Sequence, residues 1–239
     1  YPMATTTMNE EEWGTITTPI LRSGLPRAGM DRNFPHAILY GPKCLQGFGI
    51  MHPWYNQEIT HLMICLKETL DGGVTGRLIS SSLEQLRLEI GLPGWITDYD
   101  FSKLGHLATD SWIKTVWQFA SRFKIELRDS EAQLQLRRTN DQFIMAEFGR
   151  YFQGADLLAL NICRMFLHSI TLADLCTVDG KAVTIDAWQG QRNPACGLEI
   201  EWPRVQRSLP ESFWKLWQRA LRKCFLIPGT SRELAEHLG

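Results

Sequence analysis

Residues 156–170, DLLALNICRMFLHSI, are apolar around most of a helical circumference. A helix of that kind has no wet face to offer, so it belongs at the centre of its fold, and the rest of the chain must cover it. Several other segments have the matching one-sided pattern. From Pro53 to Leu70, the residues Tyr55, Ile59, Leu62, Met63, Leu66 and Leu70 recur at helical spacing, with Pro53 suited to the first helical position and Asp71-Gly72-Gly73 ending the run. Residues 75–90 repeat it through Leu78, Ile79, Leu83, Leu86 and Ile90, until GLPGW breaks the pattern. A helix starting at Thr109 or Asp110 would turn Trp112, Ile113, Val116, Trp117, Ala120 and Phe123 inward, and Asn140 or Asp141 would cap another that runs to about Phe152. Pro210 opens the clearest amphipathic stretch, PESFWKLWQRALRKCFL, and a last short helix is expected after Ser231. Near the start, Asn9 and Glu12 have the spacing of a capping box for a helix over residues 9–22, although Gly14 and Pro19 oppose helix there.

Two places change period. In KIELRDSEAQLQLRR, residues 124–138, Ile125 and Leu127, then Leu134 and Leu136, alternate with charge, which predicts a β-hairpin. DGKAVTIDAW offers a turn and a short strand, with CGLEIEW as a partner. Strand and helix do not alternate along the chain, which argues against doubly wound and barrel α/β folds. The expected class is mainly α, an irregular helical bundle with one or two short β-hairpins.

Residues 23–50, SGLPRAGMDRNFPHAILYGPKCLQGFGI, hold five glycines and three prolines between helical stretches. Connectors this long are uncommon unless functional or disordered, and the apolar residues Leu25, Met30, Phe34, Leu39, Tyr40 and Phe48 argue against disorder. The expected division is residues 1–52, an N-terminal helix with a structured Gly/Pro-rich connector, and residues 53–239, a helical domain with small hairpins that ends in a basic amphipathic helix.

With 239 residues, 44% of them hydrophobic and 21% charged, the chain can bury a core. A net charge of −1 leaves no global field to draw in a polyanion, so such contacts must come from local patches. Cys44, Cys65, Cys163, Cys176, Cys196 and Cys224 show no C-x-x-C pairing and read as reduced thiols of an intracellular protein, with a zinc site as the rival reading. No apolar run reaches the ~18 residues of a membrane span. YPMATTTMNEEEW lacks the regions of a secretory signal. The missing initial Met and the ending LAEHLG suggest a piece of a longer protein.

Motifs that would carry chemistry are missing. Neither phosphate-loop pattern occurs, nor G-x-S-x-G, nor H-E-x-x-H. His52 and His61 do not share a helical turn and read as partly buried, hydrogen-bonded histidines. Asp98 and Asp100, in TDYDF, could converge on a metal but read better as a turn or helix cap before FSKLGHL. Asp174, Asp179 and Asp186 are scattered around a turn. No catalytic residue, metal site or cofactor is expected in this chain.

The basic patches are more informative. From Trp202 to Cys224 the chain carries Arg204, Arg207, Lys215, Arg219, Arg222 and Lys223 against Glu211 alone. On a helix, the last four lie along one side, where they could follow a phosphate backbone and release counterions, while Phe213, Trp214, Trp217, Leu221 and Phe225 cover much of the rest. On sequence alone, an ordinary solvated face is the more usual meaning of such a run. In the connector, Arg22, Arg27, Arg32 and Lys43 stand against Asp31 only.

The run LPRAGMDRNFPHAILYGPKCLQGFGIMHPWYNQEITHL resembles a segment downstream of the polymerase palm in retroelement-encoded reverse transcriptases. LINE-type elements have there a GG-(L/I)-x-(L/I)-P-x-x-x-x-Y theme leading into a helix, which Gly47, Gly49, Ile50, Pro53 and Tyr55 follow in part. RRTNDQFIM, LNICRMFLHSITLADLCTVDG and WPRVQRSLPESFWKLWQRALRK also look like parts of such proteins. That family's catalytic acids lie in a palm with a Y-x-D-D-type hairpin, which this chain lacks. The resemblance therefore implies thumb-proximal, post-palm material: a helical unit that holds RNA template or DNA product, has the upstream palm of the same polypeptide as its partner, and performs no chemistry itself. Charge then nominates Arg27, Arg32, Lys43, Arg204, Arg207, Lys215, Arg219, Arg222 and Lys223 as contacts. The alternative is a helical structural or protein-interaction module, presenting the tryptophan-rich face of residues 212–225 to a partner.

Overall fold

Asn9 begins the first helix as its spacing to Glu12 predicts. In the computed structural model of this chain, which describes residues 6–128, 134–192, 202–203 and 208–239, the Asn9 side chain accepts from the Glu12 amide at 2.9 Å, and the Asn9 amide donates to the Glu12 carboxylate at 2.7 Å. This helix, α1, spans Glu10–Arg27 and continues through Pro19 into the connector. Proline forfeits one bond to the carbonyl four residues back; Thr15 and Pro19 are both exposed, which leaves that carbonyl to solvent.

The chain divides into two compact units, Tyr1–Gly76 and Arg77–Gly239. In the first, the connector folds back on itself around a short helix, α2 (His36–Tyr40), and a single tight turn, Lys43–Leu45. Gly49 donates to the Gly41 carbonyl at 2.8 Å and Phe48 to that of Ile38 at 2.9 Å, while the Phe34 and Phe48 rings stack at 5.4 Å. A Cβ on Gly47 would lie 2.1 Å from the Gly41 carbonyl oxygen, so the glycine is what lets these two backbones touch. Helix α3, Pro53–Asp71, has proline in its first turn and ends at Gly72 in the left-handed conformation (φ 65°).

The buried face of α3 is not the predicted stripe. Leu62 is buried, but Ile59, Met63, Leu66 and Leu70 are exposed; Trp54, Gln57, Glu58, His61 and Cys65 turn inward instead. Gln57 explains part of the rotation. Its carbonyl oxygen accepts from the Trp13 indole at 2.9 Å and the Thr6 hydroxyl at 2.8 Å, and its amide donates to the Met8 carbonyl and to Glu58, each at 2.9 Å.

The second unit is built from α4 (Val74–Ile90, from Arg77 on), α5 (Phe101–Leu104), α6 (Trp112–Phe123), α7 (Ile144–Tyr151), α8 (Gly154–Leu167), α9 (Ile185–Gln189) and α10 (Glu211–Cys224). The all-round apolar segment forms α8, which packs against α7, α10 and the turn Gly105–Leu107. Its buried residues include Leu157, Leu160, Cys163 and Arg164. The last carbonyls of a helix have no partner within it; here α8 supplies partners for α4. Arg164 donates to the carbonyls of Leu88 (2.7 Å), Glu89 (3.1 Å) and Ser169 (3.0 Å), and Asn161 adds a bond to Glu89 (2.8 Å). At Gly91 (φ 69°) a Cβ would come within 2.8 Å of the guanidinium carbon, so the end of α4 can receive Arg164 only as glycine.

The chain is mainly helical, but the hairpins need correction. Among the described residues, β-pairing is limited to isolated bridges: Phe143 with Thr171, Cys176 with Val183, Ala182 with Glu233 and Leu226 with Leu234. Residues 129–133 of the first predicted hairpin lie outside the described residues. Its flanks are engaged elsewhere, since the Leu127 backbone bonds the Thr97 hydroxyl and the Arg137 amide donates to Asp141. In DGKAVTIDAW the turn forms at Gly180 (φ 66°), but Thr184 then caps α9 where a strand was expected. The proposed partner, CGLEIEW, lies outside the described residues but for its last one. Phe143 rather than Asn140 or Asp141 precedes α7, because Asp141 accepts from the amides of Arg137, Gln142 and Ala173. After Ser231 there is a bent tail with isolated bridges at Glu233 and Leu234 instead of a helix, held by bonds from Leu234 to Lys181 and from Leu238 to Gly180, each 2.9 Å.

Candidate nucleic-acid interface

Helix α10 separates its two chemistries as the spacing predicts. Trp217, Ala220 and Leu221 are buried. Trp217 is fully enclosed, its indole donating to the Ala187 carbonyl at 3.1 Å and its ring meeting Phe148 edge-on at 5.5 Å. Trp214 is half-buried against Phe166 at 5.6 Å. The tryptophan face therefore belongs to the core of this unit, and the interaction module expected to present it loses that surface.

On the outer side Lys215, Arg219, Arg222 and Lys223 are all exposed. They span roughly 12 Å of helix axis at 1.5 Å per residue. Their surroundings differ in pairs. Lys215 lies 2.9 Å from Glu211, and Arg219 lies 3.6 Å from Asp156 of α8. Both are solvent-facing ion pairs of the kind worth about 1 kcal/mol or less, readily exchanged for another anion. Arg222 rests over the Trp188 ring at 4.7 Å, and Lys223 over the Tyr151 ring at 4.7 Å. A ring face orients a cation without cancelling its charge.

Arg204 and Arg207 lie outside the described residues. Arg27, at the end of α1, Arg32 and Lys43 are exposed and belong to the first unit. The described structure thus gathers four of the nominated cations on one helix face, and places the other three on the connector.

Asp98, Asp100, Asp174, His52 and His61, all weighed for catalysis, have structural partners. Asp98 pairs with Arg128. Asp100 caps α5, accepting from the Ser102 amide at 2.9 Å and hydroxyl at 2.7 Å, and these bonds hold its carboxyl below the usual range. Asp174 accepts from the Ile170 and Thr171 amides and pairs with Arg137 at 2.9 Å. His52 accepts from the Trp54 amide at the start of α3, and His61 is buried 3.8 Å from Glu58. Burial, then the adjacent Arg192, push His168 down to about 4; its Nδ1 lies 2.7 Å from the Arg192 guanidinium and its ring stacks on Trp202. Cys44 is exposed, Cys65 and Cys163 are buried, Cys176 and Cys224 are half-buried, and each is a free thiol. Among the described residues, no group of three or more His, Cys, Asp or Glu could hold a metal ion, and no helix is long and apolar enough to cross a membrane.

Sequence reasoning missed Asp156, Trp188 and Tyr151, which stand 63, 34 and 72 residues before the cations they meet. It also missed Arg164, which did leave a signal: a lone guanidinium within an all-round apolar helix needs buried acceptors. Protein-family models, curated proteins and solved structures give no match to this chain.

Proposed function

We propose that this chain is a non-catalytic, nucleic-acid-handling segment of a retroelement reverse transcriptase, an RNA-directed DNA polymerase. It positions template and primer for a palm carried elsewhere in the polypeptide. The observation that carries this reading is the exposed row Lys215, Arg219, Arg222 and Lys223 on α10, backed by a rigid aromatic core. The row supplies fixed cations at helical spacing, which grip phosphates without reading sequence. The resemblance of the connector and of WPRVQRSLPESFWKLWQRALRK to post-palm segments agrees with it. In a salt titration with a primer–template duplex, affinity should fall steeply. Replacing all four cations with alanine should flatten the slope of log K against log salt by about 0.9 for each phosphate that is no longer neutralised. Salt-insensitive binding, or a variant that binds like the parent chain, would end the proposal.

A second reading, a protein-interaction module, is favoured by one observation: Ile59, Met63, Leu66 and Leu70 form an exposed apolar row on α3. It predicts that Met63→Glu abolishes association with a protein partner, such as the palm, while leaving duplex binding by the chain unchanged.

A further inference from the structure

Between the segment 98–106 and the facing α7 with the start of α8, the second unit holds a cavity of about 600 Å³. That is within the usual size of a small-ligand site, roughly 300–1,000 Å³. Its inner walls are apolar: Leu92, Leu104, Met145, Phe152 and Leu157. Lys103, His106, Arg150 and Gln153 add polar groups. Of the bordering charges, Asp98 pairs with Arg128 and Arg150 with Glu147, while Asp100 is bonded to Ser102 and His106 lies 3.2 Å from the Gly154 carbonyl. Tyr99 is also in the lining, and its hydroxyl is held by the Gly94 amide at 2.8 Å, which fixes the ring in place. An apolar slot with the Phe152 ring in its wall and Lys103 in its lining suits a flat heterocycle.

The cavity adjoins the cation row. Phe152 is a wall of the cavity, and the Lys223 ammonium lies 5.6 Å from that ring and 4.7 Å from its neighbour Tyr151. A strand whose phosphates follow α10 therefore arrives at Phe152. We propose that this cavity receives one unstacked base of the single-stranded nucleic acid tracked by α10. The inference rests on the nucleic-acid reading above and adds a base-holding site to it. Such sites tolerate any base, because every base offers a π-face for an aromatic side chain.

Gly149 of α7 lines the cavity, and a Cβ there would meet nothing within 4 Å. Gly149→Leu fills the space from a helical position where leucine is also the better helix former. With a 12-nucleotide single strand, this variant should bind about tenfold or more weakly than the parent chain, with an unchanged salt slope. With an all-abasic strand of the same length, it should bind as the parent does. In the parent chain labelled at methionine methyls, the base-bearing strand should shift the Met145 signal and the abasic strand should not. If Gly149→Leu keeps full affinity, or if Met145 is silent, while alanine at the four α10 cations still flattens the salt slope, the cavity proposal fails and the nucleic-acid reading stands. If the α10 variant also binds normally, both fail.

Discussion

At the centre of the second unit a guanidinium is buried; in the first unit the matching position is held by an amide. Arg164 and Gln57 are both fully enclosed, and each joins segments that are distant in sequence. Arg164 closes the end of α4 from within α8, a helix whose Leu160, Cys163 and Leu167 are also buried. Gln57 ties Thr6, Met8 and Trp13 to α3, and the buried apolar residues of that unit are Leu25, Leu39, Trp54, Leu62 and Cys65 among those described. The first unit also leaves Ile16, Ile20, Ile59, Met63, Leu66 and Leu70 in solvent. The second unit has the larger apolar core and uses Arg164 to join helix ends. The first relies on side-chain hydrogen bonds and close glycine approaches, and leaves an apolar row of α3 exposed.

This contrast makes graded predictions. Arg164→Met should be the most damaging substitution, at about 3–5 kcal/mol, because it strands the carbonyls of Leu88 and Ser169 without a donor. A large drop in the urea midpoint would show it, and a near-neutral result would remove the guanidinium from the centre of the comparison. Gly47→Ala should cost about 1–3 kcal/mol and act on the connector alone, since the new methyl collides with the Gly41 carbonyl. Faster amide exchange at Phe48 and Gly49, with α8 unaffected, is the expected pattern. Gln57→Leu should cost about 1–2 kcal/mol by orphaning the Trp13 indole and the Met8 carbonyl, again with amide exchange raised in the first unit only.

The pH response should follow the second unit. His168 has its folded value at about 4 against an ordinary 6.5, so between those values the unfolded chain takes up a proton that the folded chain refuses. Stability should therefore fall as pH drops from about 6.5 to 4, and His168→Asn, which suits the left-handed backbone there (φ 57°), should reduce that fall. Identical pH profiles for parent and variant would dismiss His168 as the cause. Smallest of all, Lys215→Ala should change stability by about 0.5 kcal/mol or less, as expected for an exposed ion pair.

Much of the helical framework was legible, because caps and breakers act within a few residues. Asn9 with Glu12, Pro53 with Gly72, and Asp100 before Ser102 all do what their spacing requires. Period alone misled where a side chain had a better partner elsewhere. The alternating Ile125 and Leu127 lead to the Thr97 hydroxyl rather than a second strand, and the stripe on α3 yields its inward position to Gln57. The tail after Ser231 pairs with residues near 180, a match that its own composition does not announce.

For the candidate site, the residues themselves determined that Lys215, Arg219, Arg222 and Lys223 share a side of α10, because 3.6 residues per turn sets direction around an axis without reference to anything outside the helix. Only the tertiary structure decided that Arg219 meets an acid while Arg222 and Lys223 rest on rings, and that Phe152 joins the row to a cavity. Those neighbours come from α7, α8 and α9, and their approach depends on how the helices pack around the buried Arg164, over distances that no local pattern encodes.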